Sequence, residues 1–194
     1  MTELNKPARR AADKIRETAR DLFYREGIRA VGVDQIVAKA GATKPSLYRT
    51  FKSKDELAAA VLREDADTFW SRFDAAVAEH PGDPRAQVLA YLTGLAERAR
   101  QDDYRGCPLS NAAVEYPKHG HPARAAAQEH KAEVRERLRS MATEMGASDA
   151  HGLADALLLL LEGAFLTSQL FDEDRPTAEV ARAAAKLVDA YCAS

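Results

Sequence analysis

The sequence has few of the residues that cross-link a chain or anchor it in a membrane. Its two cysteines, Cys107 and Cys192, provide neither a disulfide framework nor the paired spacing of a zinc finger. The longest apolar run, residues 156–161, is far shorter than the roughly 18 residues that cross a bilayer. The N-terminus is polar and lacks the pattern of a secretory signal. We therefore expect a cytoplasmic protein that does not associate with a membrane.

The motifs that mark common enzyme classes are also missing. The chain has no H-E-x-x-H zinc motif, no phosphate-binding P-loop and no G-x-S-x-G nucleophile motif. Its five histidines are scattered, and the pair His119 and His121 is too short a motif to define a zinc site. We interpret the histidines as surface residues and expect no catalytic site, no metal and no cofactor.

Strand signals are scarce, because alternation of apolar and polar residues never lasts more than a few positions. Apolar residues recur at helical spacing instead, which predicts an all-α fold of about nine helices. Ser53 and Glu56 form the S-x-x-E capping box that begins a helix, and Pro81-Gly82 ends it. A helix between these signals would be on the order of 40 Å long.

Two apolar helices close the chain. Ser148 is expected to cap a helix over residues 149–171, and Thr177 is expected to cap the last helix. The first of these is apolar nearly all round, so it needs cover on every side. We expect a second copy of the chain to supply that cover and form a homodimer. Burial inside a single subunit is the alternative.

Charge is distributed unevenly along the chain. Residues 1–54 contain 13 Lys and Arg against 6 Asp and Glu, whereas the remainder contains 15 against 24. A basic N-terminal segment attached to an acidic body is typical of a nucleic-acid-binding protein.

Residues 33–51 have the pattern of a helix-turn-helix. Apolar residues at helical spacing lead to Gly41, which suits a tight turn. Thr43 is expected to cap the second helix by accepting the N–H of Ser46, because Pro45 has no N–H to donate. Leu47 and Phe51 would face inward and leave the polar side chains outside. Such a unit reads DNA in the major groove.

Residues 12–58 resemble the DNA-binding domain of the TetR family of bacterial transcriptional regulators. The residues that carry the resemblance are Ile15, Ala19, Leu22, Phe23, Gly27, Val33, Ile36, Ala40, Gly41, Thr43, Leu47, Tyr48, Phe51, Lys54 and Leu57. One departure is Gly32, where the family usually has Ser or Thr; a hydroxyl contact to phosphate is therefore not expected there.

The resemblance implies a DNA-binding domain over residues 1–54 and a helical ligand-binding and dimerisation domain over residues 55–194. It implies a homodimer that sets two recognition helices in successive major grooves of a palindromic double-stranded operator. A small-molecule effector would release this repressor. The expected DNA-binding residues are Thr43, with Tyr48, Lys52 and Lys54 on phosphates and Lys44, Ser46 and Arg49 on base edges.

The segment 104–124 is similar to the ligand domain of one branch of the same family. Asn111 and Glu115 lie one helical turn apart and would supply polar groups. Cys107 is expected near the ligand, with thiol sensing and plain burial both open. Glu115 either contacts the ligand or pairs with a residue such as Arg124. The full expected ligand set is Phe69, Phe73, Cys107, Asn111, Glu115, Phe165 and Gln169, and all of these except Cys107 are expected to contribute to one cavity inside each subunit.

Three other functions are compatible with the sequence. The chain is alternatively an activator or a ligand-free regulator, an enzyme that carries a DNA-binding head, or a non-specific architectural DNA binder. A sharp palindromic footprint would exclude the last of these.

Overall fold

A computed structural model describes residues 6–171 and 175–193, with side chains from residue 11 onward. Within these ranges the fold is all-α, as the sequence predicts, with nine α-helices. In chain order they are α1 Lys6–Glu26, α2 Val33–Lys39, α3 Lys44–Tyr48, α4 Lys54–Glu79, α5 Pro84–Arg98, α6 Pro108–Glu115, α7 Pro122–Glu144, α8 Ala150–Thr167 and α9 Val180–Cys192. A 3₁₀-helix, Pro176–Glu179, precedes α9.

The predicted caps at the start of α3 and α4 are confirmed. The N–H of Ser46 donates to Thr43 Oγ1 at 3.3 Å, and the N–H of Glu56 donates to Ser53 Oγ at 3.1 Å. The Glu56 carboxylate reaches back to the N–H of Lys52 at 2.7 Å, one residue earlier than a standard capping box. Local hydrogen bonds therefore define the helices on both sides of residues 49–53.

Two other predicted caps are wrong. Asp149, not Ser148, caps α8 by accepting the N–H of Gly152 at 2.9 Å, and the Ser148 hydroxyl donates to the Tyr191 carbonyl. Thr177 lies inside the 3₁₀-helix and is buried, so the last α-helix begins only at Val180. At α8 the neighbouring Asp149, which caps helices as well as Ser does, takes the role expected of Ser148. At α9 a 3₁₀-helix lies between Thr177 and the first α-helical residue.

The chain divides into two compact units. The first comprises Met1–Ala66 with Pro108–Gln128, and the second comprises Asp67–Cys107 with Glu129–Ser194. The packing units are thus discontinuous in sequence, and α6 with the start of α7 belongs to the first.

The first unit contains the three-helix head, in which α1, α2 and α3 pack against one another. Its core is the apolar face of α1, represented by Ile15 and Leu22, with Ile36 of α2 and Leu47 of α3, all at most 2 % exposed. This core fixes the orientation of α3 because Leu47 is the buried residue of that five-residue helix.

In the second unit, α9 packs against both α5 and α8. Alanines such as Ala154 and Ala184 are fully buried and permit close approach of the helices. Leu159 and Leu166 of α8 are 73 % and 59 % exposed in the single chain, and Leu170 in the turn that follows is 64 % exposed. By length and composition alone α8 is the one helix of the described residues apolar enough to cross a membrane. It also carries Asp155 and Glu162, which pair with Arg135 and Lys131 of α7.

Candidate nucleic-acid interface and ligand site

The helix-turn-helix presents a polar surface on α3 and on the residues after it. Gly41 takes a φ of 60°, the left-handed conformation that lets the chain turn from α2 into α3. Leu47 and Phe51 are buried, whereas Tyr48 is 50 % exposed. Thr43, Lys44, Arg49 and Lys52 are also exposed, and Ser46 and Lys54 are half-buried. The predicted DNA-binding residues up to Lys52 therefore lie on the accessible side of the head.

Within the described parts of the chain, Lys44 is the one of these residues that pairs with an acid. Its ammonium lies 2.8 Å from Asp34 Oδ1 of α2, and this carboxylate raises the pKa of Lys44. Both side chains are more than half exposed, so the pair is weak and exchangeable. Lys44 thus stays cationic and remains available for a base or phosphate acceptor.

Lys54 has a structural role that its sequence position did not suggest. Its ammonium donates to the carbonyl of Ile28 at 2.8 Å and to the carbonyl of Val31 at 2.9 Å. Two of its three N–H groups therefore hold the segment between α1 and α2. The third N–H group of Lys54 is the one that could donate to a DNA phosphate, a contact that stays a prediction.

Glu115 binds the N–H groups of the same segment, whereas Lys54 binds its carbonyl groups. Its two carboxylate oxygens accept the backbone N–H of Ile28 at 3.1 Å and of Arg29 at 2.8 Å. A Cβ placed on Gly27 would lie 3.3 Å from Glu115 Oε1, so glycine permits this close approach. We call the segment 27–31 with Lys54 and Glu115 the α1–α2 clamp. It fixes the start of the helix-turn-helix through both its N–H and C=O groups.

Arg124, the partner that the sequence suggested for Glu115, binds elsewhere. Its guanidinium donates to the carbonyls of Ala113 and Tyr116 at the C-terminal end of α6, each at 3.3 Å. There it satisfies carbonyls that have no partner within the helix. Assignment of Glu115 to the ligand stays a prediction, but the carboxylate already has two protein donors.

A small cleft in the first unit brings Asn111 and Glu115 together. Arg20 and Asp65, which pair at 2.6 Å, also line the cleft, and its apolar lining includes Phe23. Asn111 and Glu115 thus face the same cleft, as their spacing predicted.

The other five expected ligand residues belong to the second unit, where Phe69 and Phe73 of α4 lie in an aromatic cluster. Their rings stack at a centroid distance of 6.2 Å, and Tyr91 of α5 lies 5.2 Å and 5.1 Å from them. Burial holds the pKa of Tyr91 well above its usual range. Trp70 contacts both phenylalanines edge-on, and its indole N–H donates to Glu133.

His130 completes this cluster, and its place there corrects the prediction that the histidines lie on the surface. It is 2 % exposed, with its ring edge-on to Phe69 at 4.7 Å. Burial, with a contribution from Lys131, lowers its pKa to about 4. The helical spacing of α7 signals this burial, because His130 lies four residues before buried Val134 and eight before buried Leu138.

Cys107, Phe165 and Gln169 lie around Lys131. The Lys131 ammonium lies 3.5 Å from Cys107 Sγ, 2.6 Å from Glu162 Oε1 and 5.1 Å from the centroid of the Phe165 ring. The chain approaches α8 closely here, since a Cβ on Gly106 would lie 2.6 Å from the Phe165 carbonyl and 2.9 Å from Gln169 Nε2. Cys107 is buried.

Comparison with known protein families covers most of the chain. Residues 15–61 match the family described as bacterial regulatory proteins of the tetR family. Residues 84–183 match the C-terminal domain of LmrA/YxaF-like transcriptional regulators.

Comparison with individual proteins gives the same assignment. A TetR-family regulator of Streptomyces coelicolor superposes with a TM-score of 0.84 at 29% identity, covering 95% of each chain. A TetR-type regulator of Streptomyces avermitilis superposes with a TM-score of 0.82 at 31% identity, covering 93% of this chain and 97% of that one. An HTH-type regulator of Staphylococcus aureus is 33% identical over 70 residues, which span 36% of this chain and only 38% of the relative.

Proposed function

Because the chain belongs to the TetR family of transcriptional regulators and carries the helix-turn-helix DNA-binding domain of that family, we propose that it is a cytoplasmic repressor. It binds a palindromic operator as a homodimer and leaves the operator when a small-molecule effector binds. The observation that carries this proposal is the polar, exposed side of α3, which buried Leu47 anchors to the head.

The proposed DNA contacts divide between backbone and bases. Tyr48, Lys52 and Lys54 bind phosphates, which position the head. Lys44, Ser46 and Arg49 reach base edges in the major groove, with Thr43 at the start of the same helix. In Lys44 this contact exchanges the exposed Asp34 for a DNA acceptor. The excess of basic residues over residues 1–54 supports the proposal.

Dimerisation through α8 and α9 accounts for the exposed leucines. Leu159 and Leu166 lie seven residues apart, so they share one face of α8, and exposed Leu170 follows in the turn after the helix. Gly163 lies between Leu159 and Leu166, and a Cβ placed on it would meet no described atom within 4 Å beyond its chain neighbours and the backbone of its own helix, which permits close approach of a second helix. Such a stripe of leucines on a water-exposed helix favours a partner of the same kind.

The effector is proposed to bind in the second unit, in contact with Phe69, Phe73, Cys107, Phe165 and Gln169. Asn111 and Glu115 stay candidate ligand residues in the first unit. Effector binding shifts the dimer toward a state whose DNA-reading heads are wrongly spaced, because it binds that state more tightly.

A gel-shift titration with fragments of the source genome tests this function. We expect dimer binding to a discrete set of fragments at about 50 mM salt, with affinity falling by orders of magnitude at about 200 mM because counterions are released from the phosphates. Absence of DNA binding at the lower salt concentration would contradict the proposal. Equal binding to all fragments would instead indicate an architectural protein.

A further inference from the structure

His130 is a buried polar side chain whose hydrogen-bonding capacity is unused. Its ring is 2 % exposed, and neither Nδ1 nor Nε2 has a hydrogen-bond partner among the described residues. The great majority of buried polar side-chain atoms in folded proteins do have partners. An imidazole left in this state needs an explanation beyond packing.

The surroundings of His130 are aromatic. Phe69 lies edge-on at 4.7 Å and Trp70 at 5.8 Å between ring centroids, and Phe73 and Tyr91 extend the same cluster. Ligand pockets have this composition, with mostly apolar walls and a small number of polar groups that set orientation. A single buried imidazole within aromatic walls meets that description.

The charges nearby restrict what such a ligand carries. The neighbouring Lys131 is already paired with Glu162 at 2.6 Å, and Glu133 accepts the indole N–H of Trp70. Burial keeps the imidazole neutral at physiological pH by lowering its pKa to about 4. The guanidinium of Arg98 lies over the Tyr91 ring of the same cluster, 5.6 Å from its centroid, and disfavours a second cation there. An uncharged group at the neutral imidazole enters the apolar cluster without the cost of desolvating a charge. An uncharged group is favoured.

A neutral imidazole has one N–H donor and one nitrogen acceptor. A hydroxyl group complements either nitrogen, because it both donates and accepts. We propose that His130 is the hydrogen-bonding residue of an effector site in the aromatic cluster, and that this site takes an uncharged aromatic molecule that carries a hydroxyl group. The inference rests on the proposed function only in naming the ligand an effector.

A pair of probes of similar shape tests the inference. 2-Naphthol and 2-methylnaphthalene differ in a hydroxyl against a methyl group, and equilibrium dialysis against the full-length protein measures both affinities through probe fluorescence. We expect 2-naphthol to bind about tenfold more tightly than 2-methylnaphthalene, which corresponds to one hydrogen bond. His130→Phe should abolish that preference by weakening 2-naphthol alone.

Two variants serve as controls. His119→Phe makes the same change on an exposed side chain and should keep the wild-type preference. His130→Gln keeps a donor and an acceptor and should retain part of the preference; it also decides the question if His130→Phe does not fold. Equal binding of the two probes by the wild type, no binding of 2-naphthol, or an unchanged preference in His130→Phe would overturn the inference.

The dialysis experiment requires no DNA, so its result is separable from the repressor function. If DNA is bound but no ligand releases it, the effector-release proposal fails while a ligand site at His130 still stands on the dialysis. If 2-naphthol binds without regard to His130, the site assignment fails while the repressor function is unaffected.

Discussion

Replacing Glu115 with Gln tests the α1–α2 clamp. The native carboxylate accepts two backbone N–H groups, from Ile28 at 3.1 Å and Arg29 at 2.8 Å. Hydrogen bonds to a charged acceptor contribute about 1.5–3 kcal/mol each. The amide of Gln keeps one oxygen acceptor and places an NH₂ group against the other N–H. Since the site is half-buried, we expect the loss to be about 2 kcal/mol.

A loss of this size is measurable by thermal unfolding. For a chain of 150–250 residues, each kcal/mol lowers Tm by about 2–4 °C, so Glu115→Gln should lower Tm by about 4–8 °C. Protein concentration must be equal in all samples, because dimerisation itself raises the apparent stability. Glu136→Gln is the matched control, since Glu136 is exposed and its one ion pair with a described residue is with Arg139, three residues away.

The same variant separates the two roles that the sequence leaves open for Glu115. We expect lower stability with effector release retained, as the clamp requires. If Tm stays within about 1 °C of the Glu136→Gln control while an effector no longer releases DNA, the carboxylate serves the ligand and the clamp account is wrong.

Three other predictions address the DNA surface, the dimer and the buried histidine. Lys52→Ala should weaken binding to all DNA sequences alike and reduce the slope of log K against log salt concentration by about one, without changing Tm. Lys54→Ala should do the same and also lower Tm, because the hydrogen bonds of Lys54 to the Ile28 and Val31 carbonyls are lost. Equal Tm values for the two variants would contradict this. Leu159→Asp should give a folded monomer in light scattering, whereas Leu161→Asp, at a position only 4 % exposed, should unfold the chain; a dimeric Leu159→Asp variant would exclude the α8 face. Because the pKa of His130 falls from about 6.5 in the unfolded chain to about 4 in the fold, its contribution to stability is complete above pH 6.5 and is lost as the pH falls toward 4. Denaturation followed by the fluorescence of the single tryptophan should show a loss of about 3 kcal/mol over this range, and His130→Phe should remove it.

The sequence predicts the helices well because their signals are local. Apolar spacing and caps such as Thr43 and Ser53 act within one turn of the chain, and both caps are confirmed. Ser148 does not cap α8, because Asp149 next to it accepts the Gly152 N–H instead. The Ser148 hydroxyl donates to the carbonyl of Tyr191, which is distant in sequence.

Partners distant in sequence could not be predicted in the same way. Glu115 and Lys54 meet the segment 27–31 across 86 or 87 and 23 or 26 residues, and no periodicity encodes these contacts. The burial of His130 was predictable from its helical spacing to Val134. Its place among five scattered histidines gives no such signal, because burial depends on the helix face and not on the residue type.

Selection from a pool of random double-stranded DNA tests the central claim most directly. A homodimeric repressor predicts enrichment of an inverted repeat whose half-site centres are about 34–36 Å apart, or a multiple of that distance, with two chains bound per repeat by light scattering. Enrichment of a single non-repeated site, of a direct repeat, or of no sequence at all would contradict the account.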